Sequence, residues 1–475
     1  MFTNYYKTYQ NTWPNNLNFI LISILLSIPA LLLGEWSIYI LPVIFLITLS
    51  FIFGERFIIA LILITLFTLV GELNQSLRTV VHLVDFTLLG FLFLQKFGLD
   101  FQEYPKIPNT IIYFLVLFFS SMIISSLMSS YPSAGIGIIA QQFAFFVIVF
   151  VFYSLIKDEK DIKNYMVAII IVSFVLVSIS IFMLFQESFS ILNLISKNRE
   201  RVSALITNAE ASSNFYIISI PFLIILLLLN KKRSIKVLSF FLLLYLGIGL
   251  SLAMPRSAII GLVISTSIIL FLIRRRLFLI FMFTLLVFGL LFLFVDPLNQ
   301  SLSLFLRFGE GLTEREPIWS MSLNIIKDHP VFGLGPGVYK YEFYNYFPYM
   351  LSDWLGKLLI YYHELSQKVN FSHNFFLVFF TEMGILGLIT AVMLPTIYFR
   401  IGIKTLLKYR NGSKENYYLI VALFAIGVSM IIRNFFNSIG LLYLGGITGD
   451  LPFWLIFGSL IYFYKRPSAT ISTIQ

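Results

Sequence analysis

Apolar residues fall along this chain in long blocks separated by short polar breaks. Fourteen blocks approach the about 20 residues that a helix needs to cross the hydrocarbon core of a bilayer. They lie at roughly 17–33, 37–53, 57–71, 78–94, 109–129, 134–156, 164–185, 212–230, 235–253, 256–273, 277–296, 374–399, 416–432 and 450–464. The pattern predicts an all-α polytopic integral membrane protein with about fourteen transmembrane helices, within a range of twelve to fourteen. It predicts a single membrane domain over 1–475, with no internal repeat, low-complexity tract or separate soluble domain. The first block, Leu17 to Leu33, is followed by Gly34-Glu35-Trp36 and lacks a small-x-small exit, so it reads as a retained anchor.

Two polar segments are longer than the rest. One runs from 186 to 211 and carries Arg201. The other, 297–373, is 77 residues long and is the one sizeable extramembrane unit that the pattern predicts. Within it, "EPIWSMSLNIIKDH" (316–329) spaces Ile318, Met321, Ile325 and Ile326 at helical intervals, which predicts an amphipathic helix along the membrane surface. Pro330 ends that helix, and "GLGPG" (333–337) predicts a turn.

Composition agrees with the pattern. Mean hydropathy is +0.90, with 59% hydrophobic and 12% charged residues, more apolar surface than one water-soluble core can hide. Aromatic residues reach 17%, which suits lipid-facing bodies and interfacial tips. The absence of cysteine excludes disulfides, thiolate metal sites and Cys nucleophiles.

The net charge of +10 would suit nucleic acid in a soluble protein; here it has another explanation. With alternating spans and both termini cytoplasmic, the inner breaks hold 21 of the 33 Lys and Arg and only seven of the 23 acids. That distribution satisfies the positive-inside rule and calls for no nucleic-acid partner. The two long polar segments then face outward.

Cations on that outer side run against the charge rule. Arg256, in "MPRSAIIG", sits between two apolar blocks, as a cation facing a polar cavity or as one snorkelling at a helix end. Arg315, in "TEREPIW", opens the amphipathic helix and is open to a salt bridge with Glu314 or Glu316. Arg201, in "NRERVSALITNAEAS", has the same ambiguity. Three arginines from distant segments on one membrane face suggest bidentate capture of phosphate, and phosphate at a bilayer surface is chiefly lipid phosphate.

"HNFFLVFFTEMG" (373–384) opens with one of the chain's four histidines. His373 fits an interfacial helix cap or a base, since imidazole titrates near pH 6.5. Asn374 fits a cap or a partner for a substrate hydroxyl. Glu382, about 13 Å further along a helix, is expected to face the bundle interior, with a structural partner such as an arginine. The Gly333–Gly335 turn fits plain turn chemistry or backbone N–H donation to an anion. His82 and Asp85 read as a buried hydrogen-bonded pair. The outer acids occur singly, without the spacing a divalent ion wants, so no metal or other cofactor is expected.

"REPIW" (315–319), "HPVFGLGPGVY" (329–339) and "HNFFLVFFTEMGILGL" (373–388) together resemble the hallmark region of the O-antigen ligase and Wzy-type polysaccharide polymerase superfamily. The shared pattern is Arg-x-x-x-Trp ending on Trp319, a Pro-x-x-Gly-x-Gly turn, then His-Asn-x-x-Leu with Glu-x-Gly-x-x-Gly. "RVSALITNAEASSNF" (201–215) is similar to the family's upstream arginine segment, with Ala204 and Ala209-Glu210 replacing its usual Gly and Pro-Asn; "PRSA" (255–258) is similar to its small-Arg-small element. The hallmark residues span roughly 200–390.

The resemblance implies a metal-independent GT-C-type glycosyltransferase in a bacterial inner membrane, with one large periplasmic or extracellular loop. Such an enzyme moves a glycan from undecaprenyl diphosphate to an acceptor sugar on the outer face. Arg256 and Arg315, with Arg201 less securely matched, correspond to diphosphate-binding residues, and His373 to the proposed base. The implied partners are the lipid-linked glycan, an acceptor glycan (growing polysaccharide or lipid A–core), bilayer lipids and a chain-length regulator protein. A polysaccharide polymerase is the leading reading, since fourteen spans suit it better than a ligase. An O-antigen ligase and a protein O-oligosaccharyltransferase are the nearest alternatives. A transporter, a different class, would place ionisable residues and broken helices at the membrane midplane.

Overall fold

The computed structural model describes residues 54–68, 75–98, 100, 104–186, 209–253, 256–294, 315–346, 372–442 and 446–467. The apolar blocks at 17–33 and 37–53, and Arg201, lie outside the described residues. Among the described residues every regular element is a helix. In chain order these are α1 (Glu55–Thr68), α2 (Gln75–Phe97), α3 (Asn109–Met128), α4 (Pro132–Leu155), α5 (Glu159–Gln186), α6 (Ala209–Leu229) and α7 (Arg233–Ala253). There follow α8 (Arg256–Ile273), α9 (Arg275–Phe294), α10 (Arg315–Asp328), α11 (Tyr339–Tyr346), α12 (Phe375–Tyr409), α13 (Lys414–Arg433) and α14 (Ile447–Lys465).

Ten of these, α2–α8 and α12–α14, are long and apolar enough to cross a membrane. The helices α1 and α9 fall on two further predicted blocks. Serine and threonine inside the helices return their hydroxyls to the carbonyl one turn back, as Thr405 does to Ile401 (2.7 Å) and Ser173 to Ile169 (2.9 Å). Such residues can therefore sit in an apolar helix without exposing a donor.

The bundle is layered by burial. Helices α6, α13 and α14 form the centre, and α13 packs on α6, α8, α12 and α14. Its residues Leu419 to Ile431 are buried without interruption, so it is apolar all round. Helices α3, α4, α7 and α9 form the rim. They expose Tyr113, Phe143, Phe241 and Phe283, each more than 60% accessible, the surface expected of helices bathed in lipid.

Helix α12 determines the site's placement. Its 35 residues would be about 52 Å long if straight, well beyond a bilayer core. Gly384 breaks it, with φ +61° and ψ −153°, values open only to glycine. The residues after the break, Ile385 to Tyr409, are enough to span the bilayer. The first segment, Phe375 to Met383, therefore belongs to one end of the bundle, and the break lies near that end rather than at the midplane.

The opposite end gathers the charged breaks. Arg56 bonds Asp158 and Asp161 at 2.6 Å each, Lys157 pairs with Glu55, Lys163 with Glu415, and Arg466 with Glu159. Asp158 starts α5 by accepting the N–H groups of Lys160 (2.8 Å) and Asp161 (3.2 Å), and Ser413 starts α13 by accepting from Asn416 (3.2 Å).

Candidate functional site

His373 stands just before α12 in a left-handed conformation, φ +51°, the one non-glycine residue with positive φ among those described. A histidine held there is strained, and its surroundings show what holds it. Asn374 caps α12: its Oδ1 accepts the N–H of Phe376 (2.9 Å) and Leu377 (3.1 Å), while its Nδ2 donates to the Phe435 carbonyl (2.9 Å). The N–H of Phe375 is shared between the carbonyls of Asn434 (3.0 Å) and Asn437 (3.1 Å). On the other side, Trp319 Nε1 donates to the Ser372 carbonyl at 2.9 Å. Both polar atoms of the Asn374 amide are thus engaged in anchoring the turn. Trp319 is a positioning residue for the same turn.

Arg315 opens α10 one helical turn before Trp319, on the same face of the helix. The apolar side of α10 (Ile318, Met321, Ile325) is buried against Leu334, Val338, Tyr339 and Tyr346. The helix is thereby seated on the protein's own turn and α11. Arg256 is the first residue of α8, which runs antiparallel to α13 and packs closely enough that a side chain on Gly261 would press on the Ser429 carbonyl at 3.2 Å. That register sets Arg256 level with the end of α13, where Phe435 and Asn437 meet the His373 turn. Arg256, Arg315 and His373 therefore share one end of the bundle.

Glu382 is buried two residues before the break. Among the described residues its partners are the backbone: the N–H groups of Gly337 and Tyr339 point at its carboxylate, with Lys340 nearby, where the sequence suggested an arginine. The GLGPG turn does present backbone donors to an anion, and that anion is the protein's own. The main chains join as well. Leu334 N donates to the Thr381 carbonyl (2.9 Å), Gly335 N to that of Glu382 (2.9 Å) and Ile385 N to that of Pro330 (3.0 Å). Gly333 and Gly384 are where the two strands of backbone touch. A Cβ on Gly333 would lie 2.4 Å from the Glu382 carbonyl carbon, and one on Gly384 2.1 Å from the Val331 oxygen.

A serine stripe on α3 and its C-cap completes this clasp. Ser121, Ser125 and Ser129, spaced by four, reach Met383 Sδ (3.5 Å), the Glu382 carbonyl (2.6 Å) and the Leu334 carbonyl (2.5 Å). The signal for it stands in the sequence, as "SSMIISSLMSS" at 120–130, but serines in apolar helices are usually satisfied within their own helix, so the stripe carries no address.

The sequence reading also missed a polar hub at the end of α13. Arg433 is fully buried and donates to Asn214 Oδ1 and to Ser213 Oγ (3.0 Å) at the start of α6. Asn214 Nδ2 reaches the Gly449 carbonyl (3.3 Å), and Asp450 Oδ1 accepts from Gly440 N (2.9 Å). The chain after α13 is thereby bound to α6, α12 and α14 at once. Arg433 and Asp450 could have been singled out as charges at the edges of apolar blocks, where an ion away from water persists only with partners. At the far side of α2, Asp85 is buried and both carboxylate oxygens accept from Thr65 (3.0 Å each). Among the described residues no group of three or more His, Asp or Glu gathers as a metal-binding set.

Residues 240–392 match the family model described as O-antigen ligase, Wzy_C. That stretch, less than half of the chain, is similar to the O-antigen ligase and Wzy-type superfamily. The match takes in Arg256, Arg315, Trp319, Gly333, Gly335, His373, Asn374 and Glu382, and leaves out Arg201 and Arg433. Among curated proteins none matches the chain.

Proposed function

We propose that the protein is a membrane glycosyltransferase that moves a glycan from undecaprenyl diphosphate to an acceptor sugar hydroxyl on the outer face of the bacterial inner membrane. The convergence of Arg256, Arg315 and a rigidly held His373 at one end of a lipid-facing bundle carries this reading. In the proposed step His373 takes the proton of the acceptor hydroxyl. The acceptor oxygen bonds to the anomeric carbon as the bond from that carbon to the diphosphate oxygen breaks. Arg256 and Arg315, with Arg201 from the adjoining segment, hold the diphosphate and meet the charge that grows as it leaves, work that a divalent cation does elsewhere. Asn374 and Trp319 hold the base in place, and the Glu382 clasp fixes the helix that carries it.

Within that chemistry we favour a polysaccharide polymerase that joins lipid-linked repeat units, on the strength of the fourteen apolar blocks. The second reading is an O-antigen ligase acting on lipid A–core; the matching family model fits either reading. Donor binding measured beside turnover tests the shared chemistry. Arg256→Ala and Arg315→Ala should weaken binding of the lipid-linked donor and slow transfer, with Lys a partial rescue because it loses the bidentate fork. His373→Ala should keep donor affinity while turnover falls by about 10²–10⁴-fold. Near wild-type turnover in His373→Ala would overturn the assignment. In cells, single repeat units without long chains identify a lost polymerase, and long chains stranded on the lipid carrier a lost ligase.

A further inference from the structure

We infer that the turn after α13, residues 434–438, is a subsite that binds a hydroxyl of the acceptor sugar; this rests on the glycosyl transfer proposed above. Three polar atoms in this turn are buried and have no hydrogen-bond partner among the described residues: Asn434 Oδ1, Asn437 Nδ2 and Ser438 Oγ. Buried polar atoms are nearly always paired, so three in five residues are a departure with a cause. The amide orientations are set by their other halves. Asn434 Nδ2 donates to the Met430 carbonyl (2.8 Å), while Asn437 Oδ1 accepts from Ser438 N (2.8 Å) and Ile439 N (3.3 Å). What remains is one acceptor, one donor and a hydroxyl that can be either.

That combination selects among ligands. A phosphate or carboxylate offers only acceptors and would set its charge against Asn434 Oδ1. A sugar hydroxyl donates and accepts together, and so satisfies Asn434 and Asn437 at once. A water molecule matches those groups equally, and the surroundings favour the sugar. Phe435, inside the turn, is 47% exposed and packs on Phe376 with ring centroids 4.7 Å apart, giving an aromatic face for the C–H side of a pyranose. The turn is also next to the base, since Asn434 and Asn437 bind the N–H of Phe375, two residues beyond His373. The three atoms are closed from solvent, so a hydroxyl reaches them as side chains around the turn give way, while the backbone carbonyls that hold Phe375 stay in place.

The test uses the full chain in nanodiscs, with lipid-linked repeat units isolated from the producing cell as donor and the oligosaccharide released from them as acceptor. Ser438→Ala removes an atom that bonds nothing among the described residues. It should raise the acceptor concentration for half-maximal transfer three- to tenfold, about the worth of one neutral hydrogen bond, with the donor dependence unchanged and Tm equal or higher. Asn437→Asp, which keeps the Oδ1 contacts and replaces the donor, should raise the acceptor requirement likewise, with a lower Tm because it buries a carboxylate. An unchanged acceptor dependence in both variants, with a raised Tm for Ser438→Ala, would mean a buried water or nothing, and the subsite is then wrong. Should the variants fail to fold, monodeoxy acceptors on the wild-type chain decide: a loss at one hydroxyl supports the subsite, and equal use of all of them overturns it. A wild-type chain that transfers no glycan counts against the proposed function instead. Saturation-transfer NMR of the released oligosaccharide, wild type against Ser438→Ala, then decides the subsite alone.

Discussion

The two ends of the bundle are fastened by different chemistry. At one end, long side chains meet across gaps: Arg56 with Asp158 and Asp161, Lys163 with Glu415, Arg466 with Glu159. At the other, main chain meets main chain, with glycines where the strands touch and serines and amides closing the remaining carbonyls. Ion pairs between exposed, flexible side chains tolerate movement of several tenths of an ångström and are each worth about 0–1 kcal/mol. Backbone contacts at van der Waals distance tolerate little. A site that must hold a base against a reacting hydroxyl within a few tenths of an ångström needs the second kind of fastening. An end that only anchors loops can rely on the first.

The sharpest way to break this contrast is to put a methyl group where the two backbones touch. Gly384→Ala forces an L-residue to φ +61°, ψ −153°, with its Cβ 2.1 Å from the Val331 oxygen. Strain and displacement together should cost about 3 kcal/mol or more. Gly333→Ala should be nearly as severe, because its Cβ meets the Glu382 carbonyl from the other side. Thermal unfolding of each purified variant, read beside glycan transfer, should show a large drop in Tm and lost activity. A Gly384→Ala protein that melts with the wild type would show that the clasp is not what holds α12.

A finer probe acts on the same end without disturbing the clasp. Trp319→Phe removes the indole N–H that donates to Ser372 and keeps most of the ring. The lost hydrogen bond is worth about 1 kcal/mol, so Tm should move by only a few degrees. Turnover should fall about five- to tenfold, because His373 then loses one of the contacts that hold its strained backbone. If donor affinity falls and turnover at saturation does not, Trp319 serves Arg315 through the position of α10 rather than serving the histidine.

How far the sequence reveals these ends differs in the same way. Helices and the charged end were legible, because apolar length and the Lys/Arg breaks are local composition. The amphipathic face of 316–329 was legible for the same reason, yet periodicity cannot tell membrane from protein as the cover, and Ile318, Met321 and Ile325 lie against Leu334 and Val338. His373, Arg256 and Arg315 were legible as polar residues in costly places. The partner of Glu382 was not, since a carboxylate held by the N–H groups of Gly337 and Tyr339 leaves no side-chain signature. The hub around Arg433 and Asn214 was missed because its members are 219 positions apart and nothing in the 201–215 segment points from Asn214 to Arg433.

The smallest effects belong to the charged end, and they test the contrast from the other side. Lys163→Ala removes a pair whose side chains are 38% and 64% exposed, so its cost should stay within about 0.5 kcal/mol and transfer should be unchanged. Acid should weaken this end gradually. Burial works against ionisation of Asp158, but the Arg56 hydrogen bond and the N–H groups of Asp161 and Lys160 outweigh it and hold its pKa below the usual carboxylate range. A carboxyl whose folded pKa is depressed stabilises the fold fully above its unfolded pKa, near 4, and loses that contribution as pH falls through the lower, folded value. Tm should therefore hold from neutral pH down to about the unfolded pKa and decline below it, and Arg56→Ala should shrink the part of the decline that belongs to Asp158. Added salt should mimic the loss in part, by screening the exposed pairs, while leaving the clasped end untouched. Equal salt sensitivity in wild type and in a variant lacking both Arg56 and Lys163 would show that these pairs contribute nothing measurable, and the contrast between the two ends would then be sharper still.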